Sequence, residues 1–348
     1  MVKLSVLDLV PVRTDQSTGD ALAASVQLAQ AADRSGYVRY WVAEHHNMPS
    51  VAATSPPVLI AHLAAHTSRI RVGSGGVMLP NHAPLAVAEQ FALLEAAHPG
   101  RIDLGIGRAP GSDPVTSWAL RGPAGRDDTD VQQFPQYLDD MVALMDTRGV
   151  NVPLRSQNYL LKATPKPRSV PPLWLLGSSM YSAHLAAAKG LPYVFAHHFS
   201  GQGTAEALAT YRAEFTPSDV CEKPTTFLTA NVVVAPTREE ALALAVPNLQ
   251  NMARLRTGKP MQALDLVEDA EAADLDASMQ SLVEAGLGKA TAGTPTEVAE
   301  QLTALAEQFG VDEIMVHPVA SERRGVTPST SPSRVATIEL LAEAMGTN

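Results

Sequence analysis

Apolar residues fall along this chain in two alternating rhythms. Short, nearly continuous apolar runs occur at residues 4–10, 37–43, 69–79, 101–107, 172–178, 192–197, 226–235 and 311–317, separated by Ala-rich stretches of helical spacing. Continuous runs, in place of strict alternation, are what parallel strands need when helices cover their outer face. The helical stretches carry their own period. Leu22, Val26 and Ala29 share one face ahead of Gly36, and Ile338, Leu341 and Met345 follow Pro332 near the other end. Thr294, Pro295 and Glu297 have the spacing of a capping box, with Val298, Leu302, Leu305 and Phe309 forming a stripe behind it.

Eight strand-then-helix units in unbroken order predict a single α/β domain over residues 1–348, a closed (β/α)8 TIM barrel. An open doubly wound sheet is the competing arrangement. Two segments interrupt the spacing. Residues 109–131, with clustered Gly, Pro and acids, read as a long loop after the fourth strand, and residues 247–292 as a polar, mostly helical insertion after the seventh. Both follow strands, so both belong at the C-terminal face, where barrel enzymes keep their active sites. They are either lids or surface elaborations serving solubility or dimer contacts.

Composition narrows the partners. With 26 Lys and Arg against 36 Asp and Glu, the net charge of −10 gives no general attraction for nucleic acid or an anionic membrane. Cys221 is the only cysteine, the first residues lack an apolar leader, and no stretch reaches the roughly 18 apolar residues of a membrane span. These features predict a soluble, cytoplasmic protein without an internal disulfide.

The candidate chemistry sits at strand ends. Glu44, His45 and His46 follow the second strand, and only one of the two imidazoles can reach a ligand from regular strand geometry. A structural hydrogen-bonding role suits either as well as a catalytic one. Gly75 and Gly76 in the third run mark a kink in the barrel or a close approach of another group, such as a flat ring, to the backbone. The fourth strand ends Gly105-Ile106-Gly107-Arg108. It is no dinucleotide fingerprint, because Pro110 stands where the third glycine belongs and Gly111 and Pro114 are expected to stop a helix. Arg108 then reads as a phosphate ligand or as half of an ion pair with a nearby acid.

The fifth strand passes through Gly177, Ser178, Ser179 and Ser182 into an Ala-rich helix ending at Gly190. That turn is an anion site at a helix N-terminus or ordinary serine capping, and Arg108 on the neighbouring strand favours phosphate. No G-x-S-x-G elbow supports a serine nucleophile. His62 and His66, and His197 and His198, lack the acid or cysteine partners of a zinc site, so no metal is expected.

Glu44-His45-His46, Val72-Gly73-Ser74-Gly75-Gly76-Val77-Met78-Leu79-Pro80, Arg101-Ile102-Asp103-Leu104-Gly105-Ile106-Gly107-Arg108 and Gly177-Ser178-Ser179, in this order, resemble the bacterial luciferase-like monooxygenase family. The likeness is strongest up to about Gly111, resumes from Leu173 to Pro192 and is loose across 247–292. It implies FMN at the C-terminal mouth of the barrel, its phosphate held by Arg108, Ser178, Ser179 and Ser182. It also implies a non-proline cis peptide under the flavin at Gly75–Gly76, and catalytic work by His45 beside Glu44. Reduced FMN from a separate flavin reductase would react with dioxygen to give a C4a-hydroperoxide that oxygenates a small organic substrate. A homodimer formed through the second and third helices, about residues 55–67 and 84–97, is expected on the same ground. Luciferases carry a cysteine where this chain has Gly107, which places it with the non-luminescent branch. A dehydrogenase using an 8-hydroxy-5-deazaflavin cofactor shares the motifs, and a non-catalytic flavin-binding protein or a sugar-phosphate barrel would share parts of them.

Overall fold

The computed structural model describes residues 2–109, 113–122, 129–146, 149–165, 169–199 and 201–347. Among these, the strands are β1 (Lys3–Asp8), β2 (Arg39–Val42), β3 (Arg71–Ser74), β4 (Val77–Met78), β5 (Ile102–Gly107), β6 (Val150–Pro153), β7 (Asn158–Leu161), β8 (Leu173–Gly177), β9 (Tyr193–Phe195), β10 (Thr226–Val234), β11 (Thr291–Gly293) and β12 (Glu313–Pro318). Each of the eight apolar runs supplies one barrel strand. The order is β1-β2-β3-β5-β8-β9-β10-β12, all pairs are parallel, and β12 returns to β1 to close the barrel. The chain is a closed (β/α)8 barrel.

Local chemistry sets where the runs stop. The first ends at Asp8 because Val10 adopts φ 51°, its amide donating to Asp8 Oδ1 at 2.7 Å. The third splits into β3 and β4 around a cis Gly75–Gly76 bond. β4 continues along β5, and β11 adds to β10 outside the barrel circuit.

The strand period of two sorts side chains between two cores. Leu4, Val6, Tyr40 and Val42 face outward into the large core beneath the helices, whereas Leu7, Trp41, Trp174, Val194, Phe227 and Met315 fill the barrel interior. Trp41 meets Trp174 and Phe227 edge-on, with centroids 5.8 and 5.4 Å away. Below them Arg39 plugs the end of the barrel where the strands begin. It donates to Glu313 at 2.7 and 3.1 Å and to Asp103 at 3.0 Å, with its guanidinium carbon 4.8 Å from the Trp174 ring centre. This end is sealed, which leaves the opposite end for a ligand.

The expected long loop at 109–131 is corrected in part. Pro114–Arg121 is helical, and Pro114 starts this helix where the sequence reading had it stopping one. A proline at the first helical position gives up only an amide that has no intrahelical partner, and Asp113 Oδ1 accepts from Val115 and Thr116 at 2.9 and 3.0 Å. Residues 110–112 and 123–128 lie outside the described residues. An antiparallel hairpin, β6–β7, precedes β8 and was not foreseen. After β10 a helix runs Arg238–Arg256 straight through Pro247, followed by helices Val267–Glu271 and Ala277–Leu287, so the 247 boundary falls inside an element.

Candidate active site

A cavity of about 460 Å³ opens at the C-terminal end of the barrel, within the range usual for small-molecule sites. Glu44, His45, Gly75, Gly76, Arg108, Ser178, Ser179 and Ser182 all line it. Residues far apart in sequence therefore meet here, from Glu44 at the end of β2 to Ser182 in the helix after β8.

The two imidazoles after β2 part company. His45 faces the cavity, and its buried Nδ1 has no hydrogen-bond partner among the described residues. Burial pulls its pKa below the usual imidazole value against the opposing pull of Glu44, so the ring is neutral near pH 7. His46 instead turns back to Glu44. The buried Glu44 carboxylate takes His46 Nε2 and His82 Nε2 on Oε1, each at 2.8 Å, and the Met78 amide on Oε2 at 2.9 Å. Burial works against its charge, but the bonds from His82, His46 and Met78 prevail and hold its pKa below the ordinary carboxylate value. Glu44 is thus fully occupied in tying together β2, β4 and the turn after β4, which suits a positioning role.

The glycines keep a bare backbone against the cavity. A Cβ on Gly75 would lie 2.9 Å from Leu7 Cδ1, and one on Gly76 would lie 2.8 Å from the Gly105 carbonyl oxygen. Both residues are pressed onto the barrel interior, and a side chain would displace it. Gly107 differs: a Cβ there would have Val77 O as its nearest neighbour at 4.0 Å, so this position has room for a side chain.

On another wall the helix Met180–Lys189 starts at Ser179, whose side chain makes no capping bond. Its first amides are free to meet an anion. Arg108 lies beside them with its guanidinium carbon 3.9 Å above the Tyr181 ring, and no carboxylate pairs with it among the described residues. Ser178 and Ser179 are exposed to the cavity mouth. Ser182 is buried, and its hydroxyl is engaged with the Ser179 carbonyl at 2.7 Å and the Tyr193 hydroxyl at 3.2 Å. It also explains Gly177, where a Cβ would sit 2.2 Å from Ser182 Oγ.

Of the wall facing His45, the sequence reading raised only His198, as half of a rejected metal pair, and missed Asn231 and His317. His198, Asn231 and His317 line the cavity from the turn after β9, from β10 and from β12. Asn231 pairs in register with His317 and joins the three: its Oδ1 meets His317 Nδ1 at 3.0 Å, and its Nδ2 donates to the His198 carbonyl at 3.0 Å. His198 Nδ1 meets Thr229 Oγ1 at 2.5 Å. Burial, with His45 and His197 nearby, pulls the His198 pKa down to about 4, and burial beside His198 and Arg334 pulls His317 down to about 3. The available signal was position, since polar residues at the C-terminal ends of barrel strands point to a site. The other histidine pair, His62 and His66, is exposed one helical turn apart, with ring centroids separated by 4.7 Å. Among the described residues no group of three or more His, Cys, Asp or Glu could hold a metal.

Comparison with known proteins agrees with the barrel fold. The sequence profile of the luciferase-like monooxygenase family matches residues 2–313, and the chain belongs to that family. It is 39% identical to a luciferase-like monooxygenase of Escherichia coli K12, with 91% of each chain covered. It is 34% identical to an N-acetyl-S-alkylcysteine monooxygenase of Bacillus subtilis, covering 91% of this chain and 92% of the other. Among solved structures, apo-MsnO8 superposes with a TM-score of 0.84 at 35% identity over 100% of this chain and 99% of that one. More distant structures at 18% and 16% identity, one holding FMN and one an F420 adduct, share the fold with TM-scores of 0.73 and 0.61. The protein is an oxidoreductase of the monooxygenase type.

Proposed function

We propose that this protein is an FMN-dependent monooxygenase that takes reduced flavin from a separate reductase and oxygenates a small organic substrate with dioxygen. The observation that carries the reading is the division of one cavity into three kinds of wall. Arg108 and the uncapped helix Met180–Lys189 suit a phosphate, the bare Gly75–Gly76 backbone suits a flat ring, and His45, His198 and His317 face the remaining space as uncharged imidazoles.

Reduced FMN, when bound, supplies the two electrons that let one atom of dioxygen enter the substrate while the other leaves as water. The chain's own residues do the rest. Arg108, with Ser178 and Ser179, would hold the phosphate group, while Ser182 holds the Ser179 carbonyl and so fixes the turn. Glu44 keeps β4 and His82 in place beside the cavity. His45, neutral and with a free Nδ1, is the residue that takes or gives a proton next to the reacting atoms. The leucines and methionines of the cavity, among them Leu176, Met252 and Met315, keep water out. A relative is named for N-acetyl-S-alkylcysteines, which makes these the first substrates to assay. We also propose a homodimer through helices Pro56–Ala65 and Pro84–Ala97, which expose Val58 and Leu93.

The test supplies reduced FMN from a separate flavin reductase under 18O2, with His45→Ala as the comparison. One labelled oxygen should appear in the product, and His45→Ala should bind FMN normally while releasing more hydrogen peroxide per product. Label-free product, or a variant with unchanged coupling, overturns the oxygenase reading or the role of His45 respectively. Parallel titration with the 8-hydroxy-5-deazaflavin cofactor in place of FMN separates the dehydrogenase reading.

A further inference from the structure

Behind the His198–Asn231 wall lies a second cavity of about 780 Å³, between β10, β11 and the helices Arg238–Arg256, Ala277–Leu287 and Pro295–Phe309. His198, Asn231, Asn248 and Met252 line both cavities, so the two chambers share one wall. Asn231 and His198 are fixed in that wall by hydrogen bonds. Asn248 is not: its side-chain amide makes no hydrogen bond among the described residues.

The lining of the second chamber has one sign of charge. Arg256 and Lys289 stand on it and no Asp or Glu does, although the whole chain carries 36 acids against 26 bases. Arg256 spends one bond on the Phe199 carbonyl at 3.3 Å, and Lys289 has no carboxylate partner among the described residues. Leu282, Leu302 and Leu305 supply an aliphatic surface in the same chamber. Two cations without acids, above an aliphatic wall, suit a carboxylate on a hydrocarbon body.

We propose that this chamber binds the far end of the substrate. A carboxylate lies at Arg256 and Lys289, its aliphatic body lies along Leu282, Leu302 and Leu305, and the reacting end enters the first cavity past Asn248 and Met252. This rests on reading the first cavity as the site of flavin and substrate.

Calorimetry with dodecanoate and dodecan-1-ol, on flavin-free and FMN-loaded protein, tests it. Dodecanoate should bind at least about tenfold more tightly than the alcohol, and the Arg256→Gln, Lys289→Gln double variant should erase that preference with FMN affinity unchanged. Both substituted residues are exposed, so the fold should survive, and an unchanged thermal midpoint checks this. Dodecanoate should also shift the visible band of bound FMN. Equal binding of the two probes, a preference that survives in the double variant, or a flavin band untouched by saturating dodecanoate each overturns the proposal. Failure of FMN to bind overturns the function proposed for the first cavity, while the probe preference in flavin-free protein still reads the chamber.

Discussion

The Glu44 carboxylate accepts the Met78 amide at 2.9 Å, tying the end of the second barrel strand to the short strand just past the Gly75–Gly76 bond. Replacing Glu44 with alanine strands three donors, from His46, His82 and Met78. The three donors are only partly buried, so Glu44→Ala should lose about 1–3 kcal/mol of stability in total. Glu44→Gln should recover part of it, and FMN affinity should follow the order Glu, Gln, Ala. Denaturant melts and flavin titrations of the three proteins check this. An alanine variant as stable as the parent would show that the carboxylate holds nothing together.

Two nearby glycines should respond oppositely to a side chain. At Gly105 a Cβ would lie 2.1 Å from the Ser74 carbonyl oxygen and 2.7 Å from Leu176 Cδ1, whereas at Gly107 the nearest atom is 4.0 Å away. Gly105→Ala should cost more than about 2 kcal/mol and disturb the glycine floor. Gly107→Ala should change stability by less than about 0.5 kcal/mol. The pair of thermal melts decides it, and equal losses would contradict the geometry.

Acid should unfold this protein partly through its cavity wall. His198 and His317 have folded pKa values of about 4 and about 3, below the ordinary imidazole value of 6.5. The unfolded chain therefore takes up protons first. The stability these groups contribute is complete above pH 6.5 and is lost as pH falls toward their folded values. Each unit of difference is worth about 1.4 kcal/mol, so the fall between pH 7 and pH 4 should be of the order of a few kcal/mol. Asp8 and Glu44 are held below their usual carboxylate values and contribute their own loss further down. Urea melts across this range should show the decline, and His317→Gln should flatten it. A parent curve already flat from pH 7 to pH 4.5 would contradict the neutral wall.

The sealed end of the barrel should carry stability without function. Arg39→Ala leaves Glu313 buried with Ser5 as its remaining side-chain hydrogen-bond donor, at a cost of about 3–5 kcal/mol. FMN affinity should stay within about twofold, because the flavin is assigned to the opposite end. Strong loss of flavin binding in a folded Arg39→Ala protein would place the two ends in communication.

The barrel was legible because its strands are buried on both faces and therefore read as apolar runs, eight of them in order. That Arg108 and the serine turn line one cavity was legible for a similar reason: Arg108 and Ser178 follow strands that lie side by side, β5 and β8. The His198–Asn231–His317 wall was not legible. Asn231 stands in a strand of mostly apolar residues, and only the β10–β12 register sets it opposite His317. Strand geometry alone left the roles of His45 and His46 open, and only the family resemblance favoured His45, because the turn that separates them is decided by Glu44, which draws His46 away. Pro114 misled because proline stops a helix from within yet starts one at its first position, and Asp113 was the capping signal that distinguishes the two.

The central claim is a flavin held by its phosphate, and comparing FMN with riboflavin tests it most directly, in the parent protein and in Arg108→Ala. Charge-assisted hydrogen bonds to the phosphate should make FMN bind roughly 10- to 100-fold more tightly than riboflavin in the parent, and most of that advantage should vanish in Arg108→Ala. Equal affinity for the two flavins in the parent, or an FMN advantage undiminished without Arg108, would contradict the account.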